Sequence, residues 1–274
     1  MLLQRVATAL VLVPLVVAGV LHLSTTALAL ILALVVLMGG WEWTRLAGID
    51  SIPGKISYLL VLAAVMVGLA VIPHFFAQWV PIAALLFTLF WLFVTVKLVR
   101  YHPSIEPAFG KLGKSIIGFL VLAPAWISLW ILHGLYEDGP YLLLYLMILI
   151  WVADTFAYFS GRHWGRVKLA PDISPGKTRE GVYGALTGAA LCGALLYGLR
   201  PETAPLPVLI IFSVLIALIS VVGDLFESLL KRQVGVKDSG NILPGHGGIL
   251  DRIDSLTAAA PVFLFGLLLL EILR

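Results

Sequence analysis

Nine apolar stretches divide this chain, near residues 6–23, 25–41, 56–73, 79–97, 115–135, 140–160, 181–199, 205–223 and 255–273. Each has about the 17–25 residues that carry a helix across a hydrocarbon layer. The expected fold is therefore all-α: a polytopic integral membrane protein with about nine transmembrane helices. Pro14, Gly68, Pro124 and Gly193 inside these runs are no objection, because both residue types are commoner in membrane helices than in soluble ones. A soluble fold fails on composition. Only 12% of the residues are charged and the mean hydropathy is +1.04, against about 25% charged in a soluble domain, so too little polar surface remains to cover so large a core.

Nine spans make the connecting segments alternate between two faces, and the Lys and Arg count orients them. One face takes sixteen: Arg5, Arg45, Lys55, Lys97, Arg100, Lys111, Lys114, Arg162, Arg166, Lys168, Lys177, Arg179, Lys231, Arg232, Lys237 and Arg252. The other takes only Arg200 and Arg274. The N-terminus and the segments 98–114, 161–180 and 224–254 are thus expected in the cytoplasm, with the C-terminus outside. Residues 27–29 read ALA, so the first span could alternatively be a cleaved signal peptide, although its apolar run exceeds a usual signal core. The other eight spans keep their orientation either way. Neither a fixed-period repeat nor a separate soluble domain is evident. Residues 1–114 read as scaffold helices or as part of a lipid-facing groove, and 115–274 as the catalytic region. A compact chain of this kind suggests a bacterial plasma membrane.

The net charge of +3 is spread over several short loops, which does not suit nucleic-acid binding. The single Cys192 excludes an internal disulfide and a multi-cysteine zinc site. Charge is instead concentrated in two places: 154–180 and 223–254 hold 17 of the 33 charged residues in 59 positions. Acids contribute little to membrane orientation, so their presence needs another cause. Asp224, Glu227, Ser228 and Lys231 follow i, i+3, i+4 and i+7 spacing, one face of a helix leaving the membrane. Asp251, Asp254 and Ser255 stand at i, i+3 and i+4 where the last helix begins, a position that also suits acids through the helix dipole. Asp154 and Asp224 close long apolar runs, as interfacial carboxylates or as functional ones.

Carboxylates with no soft ligand beside them suit a hard cation such as magnesium, which takes one or two protein carboxylates together with substrate phosphates. GHGG at 245–248 permits close backbone approach, either as an oxyanion cradle or as a tight turn. SPGKTREG at 174–181 contains a GKT, yet a P-loop is excluded because its first glycine would fall on Pro171. Ser174, Lys177, Thr178 and Arg179 remain available to phosphate oxygens, or as solvated charges. Together these features suggest transfer chemistry on a phosphate-bearing lipid at the cytoplasmic surface. A secondary transporter would place its ionisable residues in broken helices near the midplane. A CDP-alcohol phosphotransferase would need an Asp-Gly-x-x-Ala-Arg run, absent here; a polyprenyl-phosphate sugar transferase, with dispersed acids, stays open.

The run SLLKRQVGVKDSGNILPGHGGILDRID at 228–254 resembles the signature of the phosphatidate cytidylyltransferases, the CDP-diacylglycerol synthases. DTFAYFSGR at 154–162 and SPGKTREG at 174–181 look like further polar segments of that family, so the resemblance covers the second half of the chain. It implies the reaction of phosphatidate with CTP to give CDP-diacylglycerol and pyrophosphate. It also implies roles. Asp224 and Asp251 would be the main metal ligands, with Asp154, Asp254 and Glu227 completing or orienting that shell. Lys177, Lys231 and Arg252 would join Asp224 and Asp251 in catalysis. Ser174, Thr178, Arg179, Arg232, Lys237 and Asp238 would bind substrate, while His246, Gly247 and Gly248 line the nucleotide phosphates. Family resemblance further implies magnesium, with potassium as a second ion, and a homodimer.

Overall fold

The computed structural model describes residues 2–75, 77–101, 109–135, 137–240, 242 and 247–272. Among these the chain forms α1 (Leu2–His22), α2 (Thr25–Leu46), α3 (Ile52–Phe75), a short 3-10 turn (Ala77–Trp79), α4 (Val80–Val99), α5 (Lys111–Leu135) and α6 (Gly139–Trp164). There follow β1 (Lys168–Ala170), β2 (Ser174–Thr178), α7 (Arg179–Leu199), α8 (Leu206–Gln233) and α9 (Leu250–Ile272). Eight of these helices, α2 to α9, are long and apolar enough to cross a membrane; in α1 the apolar helix Leu10–His22 is shorter. Leu30, Leu60, Leu86, Leu191 and Leu195 are each more than half exposed. Such a surface belongs in lipid, where apolar side chains need no cover.

α5 is the most enclosed span. It packs against α2, α3, α6 and α9, and α9 in turn against α4 and α8. Trp43, Trp91, Leu122, Leu132, Leu146, Ile216 and Phe263, from six different helices, are fully buried in the common core. Buried polar groups cross between helices: Trp126 Nε1 donates to the Ala29 carbonyl at 2.8 Å and Trp43 Nε1 to that of Lys114 at 2.9 Å. Both bonds satisfy donors that would otherwise be costly in an apolar interior.

α7 carries a stripe of Gly181, Gly184, Ala185, Gly188, Ala189 and Cys192, all buried. Small residues let membrane helices approach closely. Here the neighbour is α6: a Cβ on Gly184 would stand 2.2 Å from Ser160 Oγ and 2.7 Å from the Phe156 carbonyl. The far ends of the same two helices are held by Arg200, just past α7, which grips Asp138, just before α6; its Nη2 donates to Oδ1 at 2.8 Å.

The structure corrects the all-α expectation in one place. β1 and β2 form an antiparallel hairpin with Lys168 opposite Thr178 and Ala170 opposite Ser174. Pro171 and Asp172 supply the turn, residues suited to it by a fixed φ and by side-chain bonding to the local backbone. The bounds of the spans also move. α6 continues to Trp164 and α8 to Gln233, so polar residues assigned to connecting segments lie on helices instead. At 1.5 Å per residue the 28 residues of α8 reach about 42 Å, more than the ~30 Å hydrocarbon layer, so its polar end continues past the apolar run.

Candidate active site

The polar end of α8 and the start of α9 converge because Gly223 has no side chain. A Cβ there would come within 2.5 Å of the Asp254 carbonyl oxygen and 2.9 Å of Ala258 Cβ. Close crossing brings the two acidic faces together. Lys231 Nζ lies between them, 2.6 Å from Asp251 Oδ1 and 3.1 Å from Glu227 Oε1. Lys231 and Glu227 are buried, at 7% and 3% exposure. Glu227 Oε1 faces the ammonium, and among the described residues Oε2 has no hydrogen-bond partner. Asp224 accepts from Ser228 Oγ at 3.3 Å.

Asp251 is held from several sides. Besides Lys231, its Oδ2 accepts from the Ser239 amide at 3.0 Å, the Ser239 hydroxyl at 3.0 Å and the Gly248 amide at 2.9 Å. Gly247, with φ of +82°, turns the chain through the left-handed region immediately before this contact. A side chain there would strain the turn and meet Asp251 Oδ2 at 3.0 Å.

A third segment enters from the hairpin. Lys177 on β2 reaches Asp224 Oδ2 at 2.6 Å. Next to it the Thr178 hydroxyl accepts from the Gly181 amide at 3.1 Å and caps α7. Arg232, from α8, steadies the hairpin by donating Nε to the Ile173 carbonyl at 3.2 Å, and Nη1 to the Val236 carbonyl at 3.3 Å. Ser174 is half-buried in β2 and Arg179 is exposed at the start of α7. Asp154 is exposed on α6, ten residues before its end. A charge about 15 Å along the helix from that end requires polar surroundings, since facing acyl chains would be costly. Asp224 lies within electrostatic range of both Asp154 and Asp254, and Glu227 within range of Asp251 and Asp254.

One end of the bundle thus gathers Asp154, Asp224, Glu227, Asp251 and Asp254 with Lys177 and Lys231. Lys237 and Asp238 are exposed in the segment after α8, and Arg252 is exposed on α9. Gly248 is buried with its amide committed to Asp251. His246 lies outside the described residues. Sequence reasoning missed Ser239 and, on α2, Glu42. Glu42 is 4% exposed, accepts from the Ile249 amide at 3.1 Å and the Leu250 amide at 2.8 Å, and shares the single Ser239 hydroxyl proton with Asp251, its Oε2 lying 3.0 Å from Ser239 Oγ. A signal existed: Glu42 is the single acid in the apolar run of α2, and an intramembrane acid is a functional candidate by default.

Among the described residues no group of three or more His, Cys, Asp or Glu is arranged to hold a metal ion by itself. A magnesium ion completed by substrate phosphates does not need one. The donor set fits such an ion: every acid is an oxygen ligand, and among the described residues the buried Glu227 Oε2 has no hydrogen-bond partner.

The chain matches the sequence model of the cytidylyltransferase family over residues 3–270. It is 43% identical over 264 residues to a phosphatidate cytidylyltransferase of Pseudomonas aeruginosa, covering 96% of each chain. Against the phosphatidate cytidylyltransferase of Haemophilus influenzae it is 37% identical over 282 residues, 96% of this chain and 97% of the relative. With that of Bacillus subtilis it shares 37% over 184 residues, 65% of this chain and 67% of the relative.

Proposed function

This chain belongs to the cytidylyltransferase family, and from that premise we propose that it transfers a cytidylyl group from CTP to phosphatidate, giving CDP-diacylglycerol and pyrophosphate. The observation that carries the reading is the convergence of five carboxylates and two ammonium groups, from α6, the hairpin, α8 and α9, at one end of the bundle.

The chemistry asks for such a site. A phosphate monoester has its second pKa near ~6, so the lipid phosphate is largely dianionic at neutral pH and needs no strong general base. Its oxygen attacks the α-phosphorus of CTP; a new P–O bond forms, and the bond to the bridging oxygen breaks to release pyrophosphate. The work left is to bring two polyanions together and stabilise charge on the leaving group. Lys177 and Lys231 pair with these acids, and in this reading they turn toward phosphate oxygens, with Arg252 beside them. Ser174, Arg179, Arg232, Lys237, Asp238, His246 and Gly247 complete the substrate surface, while the buried Thr178 and Gly248 support it from behind through the α7 cap and the contact with Asp251. Asp224 and Asp251 would hold magnesium once Lys177 and Lys231 have turned to phosphate, with Asp154, Asp254 and Glu227 shaping its surroundings and potassium as a second ion. A bound magnesium ion supplies charge neutralisation between the reacting phosphates.

With nine spans counting α1, the charge asymmetry supports an N-terminus and active site on the cytoplasmic side and a C-terminus outside, and the compact chain suits a bacterial inner membrane. Residues 1–114 serve as scaffold to the catalytic 115–274, and the working form is a homodimer. Purified protein supplied with radiolabelled CTP, magnesium and phosphatidate should form labelled CDP-diacylglycerol. No labelled lipid across several detergents and lipid mixtures would overturn the reading.

A further inference from the structure

The first turn of a helix leaves backbone amides without partners, and a Ser, Thr, Asp or Asn just before it usually accepts from them. α9 is preceded by Ile249, which cannot. Its first amides are satisfied from another helix: Glu42 of α2 accepts from Ile249 N at 3.1 Å through Oε1 and from Leu250 N at 2.8 Å through Oε2. A carboxylate there also meets the positive end of the helix dipole. The fit is close. A Cβ on Gly240 would stand 2.1 Å from Glu42 Oε1, and one on Gly248 2.4 Å from Oε2. These two glycines of the 228–254 signature are small because the segment closes on this carboxylate.

Glu42 also reaches the acidic cluster through one hydroxyl. Ser239 Oγ lies 3.0 Å from Glu42 Oε2 and 3.0 Å from Asp251 Oδ2, while Ser239 N donates to Asp251 at 3.0 Å. Asp251 continues the line to Lys231 at 2.6 Å and Lys231 to Glu227 at 3.1 Å. We infer that Glu42 is a positioning residue for the cytidylyl transfer: fixed on α2, it caps α9 and, through Ser239, sets the placement of Asp251 and Lys231 at the reacting phosphates. This rests on the functional reading above, and it gives a residue of the first half of the chain a part in the reaction.

The test uses full-length protein in lipid nanodiscs, with hydrogen exchange of the segment containing Ile249 and Leu250, thermal unfolding, and kcat and KM for CTP measured on the same preparations. Glu42→Gln keeps the size, removes the charge and turns an amide N–H₂ toward backbone donors. It should speed exchange at those amides by about tenfold or more and lower kcat by about tenfold or more, with the CTP KM within about threefold of wild type. Glu42→Asp keeps the charge and should recover part of both losses. Ser239→Ala leaves the cap in place and cuts the bridge, so kcat should fall while exchange at 249–250 stays protected. Unchanged exchange in Glu42→Gln overturns the cap, and unchanged kcat in both Glu42→Gln and Ser239→Ala overturns the positioning role. If Glu42→Gln does not fold, Ser239→Ala alone decides the coupling. Wild-type protein that makes no CDP-diacylglycerol defeats the functional reading instead, and the exchange comparison still tests the cap.

Discussion

Lys177 Nζ stands 2.6 Å from Asp224 Oδ2, so an ammonium–carboxylate contact joins the hairpin between α6 and α7 to the acidic face of α8. Both side chains keep about a quarter to a third of their surface exposed, and a pair in that setting contributes only about 0–1 kcal/mol to stability. The proposed role of Lys177 at the reacting phosphates can therefore be tested with little loss of stability.

Lys177→Met should leave the unfolding temperature within about 2 °C of wild type, in keeping with a weak pair. Product formation should drop by about two orders of magnitude, the scale of losing one charged group that stabilises a phosphoryl transition state. Parallel melting curves and labelled-CTP assays check both. A large fall in melting temperature with turnover intact would reverse the assignment.

Lys231 behaves differently because it is buried between Asp251 and Glu227. Removing one partner of a buried ion pair costs about 3–5 kcal/mol, since the other charge is left uncompensated. Lys231→Met should thus lower stability as well as activity, while the double variant Lys231→Met, Asp251→Asn should regain part of the stability and none of the turnover. A double-mutant cycle by denaturation reads the coupling. Additive losses would mean that the two groups do not act on each other.

Gly184→Val tests the close seam of α6 and α7. The new side chain begins 2.2 Å from Ser160 Oγ and 2.7 Å from a backbone carbonyl that cannot move aside. Overpacking of that kind costs about 1–3 kcal/mol or more. Yield of monodisperse protein and its melting temperature should both fall; wild-type values for both would mean that the seam is looser than drawn.

Asp138 offers a pH-dependent test at the other end of the same two helices. The hydrogen bond from Arg200 holds its carboxyl below the usual carboxylate range and raises Arg200 in return. A depressed folded value means the contact stabilises the protein above the unfolded value of about 3.9 and loses its effect as pH falls through the folded one. Asp138→Asn should accordingly be less stable than wild type at pH 7, with the difference shrinking below about pH 4. Melting curves across pH 3–8 on both proteins check the sign. A gap that widens in acid would contradict the contact.

Much of the fold could be read from hydrophobic run length alone, because spans obey one strong rule and helix ends emerge where the apolar run stops. The i, i+3, i+4, i+7 spacing of Asp224, Glu227, Ser228 and Lys231 puts them on one face, and α8 carries that face to Gln233. The hairpin was not legible: its strands are three and five residues long, too short to give a clear period. Which acid faces which cation was hidden too. Glu42 lies 207 positions before Ile249, and only the packing of α2 beside α9 joins them. Gly248 was readable as small, but whether that smallness served a phosphate or a neighbouring carboxylate depends on tertiary contacts.

α8 is a single unbroken rod that displays Ile211 and Leu215 on its outer flank and Asp224 farther along. Such a rod behaves as a depth gauge. Hydrocarbon a few ångströms thicker or thinner must be met by tilting or sliding the helix, and the Asp224 carboxylate travels with it toward or away from the headgroup layer. Acyl-chain length in the host membrane would then govern how well the protein engages the lipid it consumes, so the bilayer itself tunes the rate at which its own precursors are made.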